Sequence, residues 1–208
     1  MNLMEYIKEN YKAASPIFLG DLKKTGLSEN NICKQMERLV QAGELRKFDA
    51  GIYYMPDYSV FTSGTGPLRE TVLEQKYLFD DTGRCGYRGG MQFYNDMNLT
   101  TQVSNIYEIV SNYATTAMRK KVIQGMQVII RKPKVKVTEE NWKILRLLDL
   151  LQDLYPVEET DEVLKERIKK YLKDAKITFA AIKPYLAFYP DSIYKNLYRA
   201  GVLSETVA

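Results

Sequence analysis

The spacing of apolar positions changes several times along the 208 residues, and each change marks an element. Leu3, Tyr6, Ile7 and Tyr11 recur at helical spacing and predict a helix over Asn2–Ala13, ended by Ser15-Pro16. Ile17-Phe18 reads as a short strand and Leu19–Lys24 as a short helix with Leu22 inward. Gly26 supplies a tight turn at positive φ, and Leu27 plugs the core beneath it. Ser28 suits an N-cap and Glu29 the first turn of a helix over Glu29–Ala42, which Gly43 closes. Ile32, Met36, Leu39 and Val40 form its core stripe. Leu45–Phe48 and Ile52–Met55 then read as strands bent at Ala50-Gly51, with Tyr53 and Tyr54 alternating across the pleat.

That order of elements is the order of a winged helix–turn–helix, so sequence-specific DNA binding is the leading expectation. Opposite the core stripe the second helix carries Asn30, Asn31, Lys34, Arg38 and Gln41, side chains able to hydrogen-bond base edges or phosphates. Arg46 and Lys47 on the first wing strand suit phosphate contact.

Beyond Met55-Pro56 the pattern changes. Thr62–Pro67 is a loop, Leu68–Phe79 a helix, and Asp80–Gly83 breaks it. The glycines at 83, 86, 89 and 90 lack a Gly-Lys-Ser/Thr ending and the three-glycine dinucleotide fingerprint, so they predict tight turns and close packing of a helix over Gly90–Met97. A strand over Asn105–Val110 and a hairpin of Lys121–Ile123 with Met126–Arg131, linked at Gln124-Gly125, follow. Thr138 is read as the cap of a leucine-dense helix through Asp153, ended by Pro156. Helices over Asp161–Leu172, Thr178–Ala187 and Ser192–Arg199 complete the chain, with Gly201 as the last stop. The fold class is therefore α+β: an N-terminal winged helix–turn–helix (1–56), a mixed α/β middle domain (57–137) and a helical C-terminal segment (138–208) packed on the middle one.

Charge sharpens this picture. The net charge is +4. Residues 1–56 hold 8 basic and 7 acidic side chains, 57–137 hold 11 and 7, and 138–208 hold 11 and 12, so the excess sits mid-chain. Arg119, Lys120, Lys121, Arg131, Lys132, Lys134 and Lys136 fall within 18 residues containing no acid, which points to an anionic partner. The DNA-contact set expected from sequence is thus Asn30, Asn31, Lys34, Arg38, Gln41, Arg46, Lys47, Arg119, Lys120, Lys121, Arg131 and Lys132.

Catalysis is disfavoured. There is no histidine, which removes the usual general base near neutral pH and most zinc sites. A nuclease would have to draw its carboxylates from Asp80, Asp81, Asp96 and Glu108, and Ile130 occupies the place where the common strand motif needs an acid ahead of Lys132. Cys33 and Cys85 match no metal-ligand spacing and read as free thiols of a reducing cytoplasm. No metal, cofactor or catalytic residue is expected. No apolar run approaches the length of a membrane span, and the start lacks the pattern of a secretory signal. A winged helix that docks a protein instead of DNA is the alternative, favoured by the near-neutral charge of residues 1–56.

The segment Pro16–Pro56 resembles the N-terminal winged helix of the abortive-infection type IV antitoxins, the AbiEi family. The resemblance is carried by the apolar strand start, Asp21-Leu22, the Arg-Leu-Val-x-x-Gly-x-Leu run from Arg38 to Leu45, and Gly51-Ile52-Tyr53. Gly86-Tyr87-Arg88-Gly89-Gly90, a short helix, and then Asn98-Leu99-Thr100-Thr101-Gln102-Val103 extend it, so that it covers about residues 16–137. Asn98 stands where glycine is common, and Gly20-Asp21 lacks a good preceding cap. The resemblance implies an antitoxin of a phage-defence toxin–antitoxin system that binds repeated sites in its own promoter as double-stranded DNA and represses its operon. The implied functional partner is a nucleotidyltransferase-like toxin, without a stable complex, and no cofactor is implied.

Overall fold

The computed structural model describes residues 2–154 and 161–203; Pro156 lies outside them. The fold is mixed α+β, and the chain divides into two compact units, Met1–Lys76 and Tyr77–Ala208. Among the described residues no helix is long and apolar enough to cross a membrane.

The first unit opens with α1 (Leu3–Asn10), whose N-cap Asn2 accepts the Met4 N–H at 3.0 Å. Strand β1 (Ile17–Phe18), a 3₁₀ helix (Asp21–Thr25), α2 (Glu29–Gln41), β2 (Arg46–Asp49) and β3 (Ile52–Tyr54) follow. The sheet order is β1-β3-β2, antiparallel throughout, and places Tyr53 between Ile17 and Lys47. The short helix after β1 is a 3₁₀ helix that starts at Asp21 instead of Leu19, and Ser28 is the N-cap of α2, in extended backbone but without a side-chain cap bond. Leu3, Ile7, Ile17, Leu22, Ile32, Met36 and Leu45 form the core, with Leu27 partly buried against it. A helix α3 (Arg69–Tyr77) runs to the junction of the units.

The second unit begins with a tight hairpin, β4 (Phe79–Asp80) and β5 (Gly83–Arg84). Its main sheet has the order β6-β7-β9-β8, from β6 (Gly86–Arg88), β7 (Ile106–Ser111), β8 (Met118–Ile123) and β9 (Met126–Arg131). Strands β8 and β9 form the expected hairpin across Gln124 (φ 47°) and Gly125 (φ 79°), the left-handed pair that a two-residue turn requires. The pairing of β7 with β9 is parallel, which local pattern does not announce. Gly86 lies in a strand and not in the expected glycine-rich turn. A Cβ there would run into the main-chain carbonyl oxygens of Tyr77 and Val110, so only glycine lets these chains approach.

Helix α4 (Gly90–Asp96) packs on β7, and α5 (Trp142–Gln152) packs on β6, α4 and α8. Helix α5 has Asn141 as its N-cap in place of the expected Thr138; the Asn141 side chain accepts the Thr138 N–H at 2.8 Å and donates to the Lys136 carbonyl at 2.9 Å. Its Ile144, Leu145 and the run Leu147–Leu151 are buried on nearly all sides. Leu145 faces the sheet with Tyr87, Val110 and Val137. Leu147, Leu148, Leu150 and Leu151 share a larger core with residues of α4, α6 (Asp161–Ala175), α7 (Phe179–Ile182) and α8 (Ser192–Arg199). The single helix expected over Thr178–Ala187 is divided: α7 gives way to a 3₁₀ helix (Lys183–Phe188) at Pro184, which has no N–H to continue an α ladder.

Two predictions follow from this packing. Gly86→Ala should destabilise the second unit by about 1–3 kcal/mol, read by denaturant titration of the fluorescence of the sole tryptophan, Trp142. Gly89→Ala, whose Cβ meets nothing nearer than 3.4 Å, should cost less than half as much. Tyr171 donates to the Lys143 carbonyl at 3.0 Å and stacks edge-on to Phe93. Burial, slightly opposed by Arg146, raises its hydroxyl to about 12. Between the ordinary tyrosine value near ~10 and that value, the unfolded chain ionises while the folded chain keeps its proton. The stabilisation is therefore complete below the lower value and fades as pH rises to the upper one. Denaturant titrations across this alkaline window should show a shallower loss in Tyr171→Phe than in the parent chain.

Candidate nucleic-acid interface

The α2 register is set by its apolar residues. Ile32 and Met36 are buried and Leu39 and Val40 partly so, which directs the opposite side outward. Asn30, Asn31, Lys34, Arg38 and Gln41 are all exposed. At 3.6 residues per turn they span an arc of about 100°. Gln35 donates to Asn31 at 3.0 Å, which fixes that amide on the surface. Glu37, absent from the sequence-derived set, is exposed on the edge of the same arc. Its position was readable from the same helical phase.

Strands β2 and β3 stand beside this helix. Lys47 is exposed and Arg46 half-buried. A bulge between Lys47 and Asp49 coincides with the buried ring of Phe48. Tyr53 packs on the core, and its hydroxyl is raised above its ordinary value by burial and then by Cys33 and Glu37 of α2.

In the second unit the sequence-derived cations divide. Arg119, Lys120 and Lys132 are exposed and Lys121 is half-buried. Lys134 lies over the Tyr189 ring at 4.9 Å. Arg131 turns inward. Its guanidinium meets Glu108 of β7 at 2.5 Å, Asp149 of α5 at 3.7 Å and Asp153 at 4.0 Å. Asp149 also accepts from Tyr87 at 2.8 Å and Tyr189 at 3.0 Å. Burial raises the Asp149 carboxyl against the pull of Tyr87, Arg131 and Tyr189. Burial lowers Arg131, but Glu108 and Asp149 outweigh it and hold the guanidinium above its ordinary value. Glu108, Arg131, Asp149 and Asp153 line a cleft of about 400 Å³ that also reaches Tyr94 and Ile129. Nearby, Arg146 joins α5 to α4 by a bond to Asp96 (2.5 Å) and to β6 by a bond to the Arg88 carbonyl (2.7 Å), with its guanidinium 3.8 Å from the Phe93 ring centre.

Three of the four carboxylates that a nuclease could draw on have separate partners. Asp80 bonds Thr82 and Tyr113, Asp96 pairs with Arg88 and Arg146, and Glu108 holds Arg131. Among the described residues no group of three or more His, Cys, Asp or Glu is arranged to hold a metal ion. No protein-family model matches the chain, and no curated protein sequence matches it.

Arg131→Met should cost about 3–5 kcal/mol, because it leaves the Glu108 and Asp149 carboxylates facing each other without a cation. Adding Glu108→Gln to that variant should recover part of the loss. The coupling is measured by a double-mutant cycle on chemical denaturation, and strictly additive losses would refute it.

Proposed function

We propose that this protein is a DNA-binding transcriptional regulator, that its first unit is a winged helix–turn–helix, and that α2 reads the major groove with β2–β3 as the wing. The observation that carries this reading is the single exposed arc of Asn30, Asn31, Lys34, Arg38 and Gln41 on a helix whose other side is buried. A helix of 13 residues is about 20 Å long and fits a groove about 12 Å wide. Amides suit adenine edges, while Lys34 and Arg38 suit guanine or phosphate. Taken with the sequence resemblance, the role is that of a cytoplasmic type IV antitoxin. It would repress its own operon through repeated promoter sites and counter a nucleotidyltransferase-like toxin without a lasting complex.

One observation favours a second reading, in which the same surface docks a protein. Glu37 lies on the edge of the arc, and residues 1–56 carry almost no net charge. A carboxylate there opposes phosphate and would suit a basic partner.

Gel-shift titration with the DNA upstream of the chain's own reading frame separates the two. Lys34→Ala and Arg38→Ala should each weaken binding about tenfold. Affinity of the parent chain should fall by about a hundredfold between about 50 and 200 mM salt. Affinity independent of salt, or unchanged by both substitutions, would remove the DNA reading.

A further inference from the structure

We infer that the outer edge of β8 takes up an extended acidic segment of a partner protein as a fifth strand. This inference does not depend on the DNA reading of α2. Strand β8 is an edge of the main sheet, and among the described residues no strand pairs with its outer side. The Lys132 N–H donates to the Ala117 carbonyl at 3.1 Å. That bond fixes the phase of the antiparallel ladder: residues 119, 121 and 123 direct their main chain to β9, and Met118, Lys120 and Val122 direct theirs outward. The Met118 carbonyl accepts from the Thr116 hydroxyl at 3.3 Å, so an incoming strand would pair with the main chain of Lys120 and Val122.

The side chains of those three outward residues share one face. Across the sheet, Val122 aligns with Gln127 and Ile106, and Lys120 with Ile129 and Glu108. Ile106, Lys120, Val122 and Ile129 border a recess of about 240 Å³ with an apolar floor. Val122 is 70 % exposed and Met118 54 %, a high value for apolar residues on a strand. An open ladder beside an apolar recess is the arrangement that captures an extended peptide, with main-chain bonds for affinity and side-chain seats for specificity.

Charge selects the occupant. An incoming antiparallel strand would meet Val122, Lys121, Lys120, Arg119 and Met118 in turn. The complementary segment is apolar, acid, acid, acid, apolar. A second copy of β8 does not satisfy this, because antiparallel self-pairing centred on Lys120 sets Lys120 against Lys120 and Arg119 against Lys121. Nucleic acid would satisfy the cations but would leave the recess and the strand's main-chain groups unused.

The test uses the full chain and a fluorescein-labelled nine-residue peptide with the core Val-Glu-Glu-Glu-Val, followed by fluorescence anisotropy. Binding should be saturable. It should weaken at least tenfold when the peptide's alternate amides that face β8 are N-methylated, or when its glutamates are replaced by lysines. Neither change touches the protein, so misfolding cannot imitate the result. Arg119→Glu/Lys120→Glu and Val122→Lys should each weaken it at least fivefold, while Lys34→Ala leaves it unchanged. Equal binding of the N-methylated peptide would reduce the surface to electrostatic adsorption and overturn the proposal. So would absence of binding. Loss of duplex DNA binding, but not of peptide binding, in Arg119→Glu/Lys120→Glu would assign the edge to nucleic acid. Self-association abolished by Val122→Lys, with no peptide uptake, would assign it to a second copy.

Discussion

A single buried cation organises the second unit. Arg131 ends β9, and its guanidinium holds Glu108 of the parallel neighbour β7 and Asp149 of α5. Two tyrosines donate to Asp149: Tyr87 of β6 to the Oδ2 that faces Arg131, and Tyr189, from the segment leading to α8, to Oδ1. One carboxylate therefore links sheet, central helix and helical cap. Neither charge would tolerate this depth alone, since an unpaired buried ion costs several kcal/mol. The hydrophobic core around Leu147, Leu148 and Leu151 supplies the bulk of the attraction. The ionic node supplies geometry, because it is satisfied in one relative placement of β7, β9 and α5. The cleft beside it follows from the same constraint. Its floor is charged but internally paired, apart from the buried Arg131 Nε, which has no hydrogen-bond partner.

How much of this was legible in the sequence depends on range. The first unit is built from local rules. Ile32 and Met36 set the face of α2, and Gly26 and Gly43 adopt the positive φ that ends their helices. Asn98 takes left-handed backbone (φ 52°), a conformation asparagine tolerates better than most residues. The missed features are non-local. Strand β6 hides behind glycines because its pairing depends on the approach of the Tyr77 and Val110 carbonyls. The parallel β7–β9 pair has no turn signal, because β8 intervenes between its members. Strand β8 begins at Met118, three residues before the expected Lys121. Met118, Arg119 and Lys120 are a strand because Arg131, Ile130 and Ile129 stand opposite them.

The same contrast governs the candidate site. The exposed arc of α2 is a property of one helix and needs only the 3.6-residue period to be seen. The basic run from Arg119 to Lys136 looks equally simple as a count of charges, yet it is not one surface. The pleat sends Arg119 and Lys121 to one face of the sheet and Lys120 to the other, and Arg131 is drawn inward by carboxylates 23 and 18 residues away in sequence. Lys134 is engaged by a ring more than 50 residues later.

Charge density along a chain thus overstates charge density on a surface whenever a strand carries it. What the pleat leaves on the recess face of β8 is Lys120 flanked by Met118 and Val122, a mixed apolar and basic row, while Arg119 and Lys121 point to the other face. A phosphate backbone rewards a continuous row of cations at a spacing near its own. An edge that alternates methylene-rich and charged side chains above an open ladder rewards a polypeptide. The two units therefore present different chemistries to their surroundings: a helix face of amides and cations on the first, and a strand edge with an apolar seat on the second. That difference is why the functional reading of α2 and the partner inferred for β8 rise or fall independently.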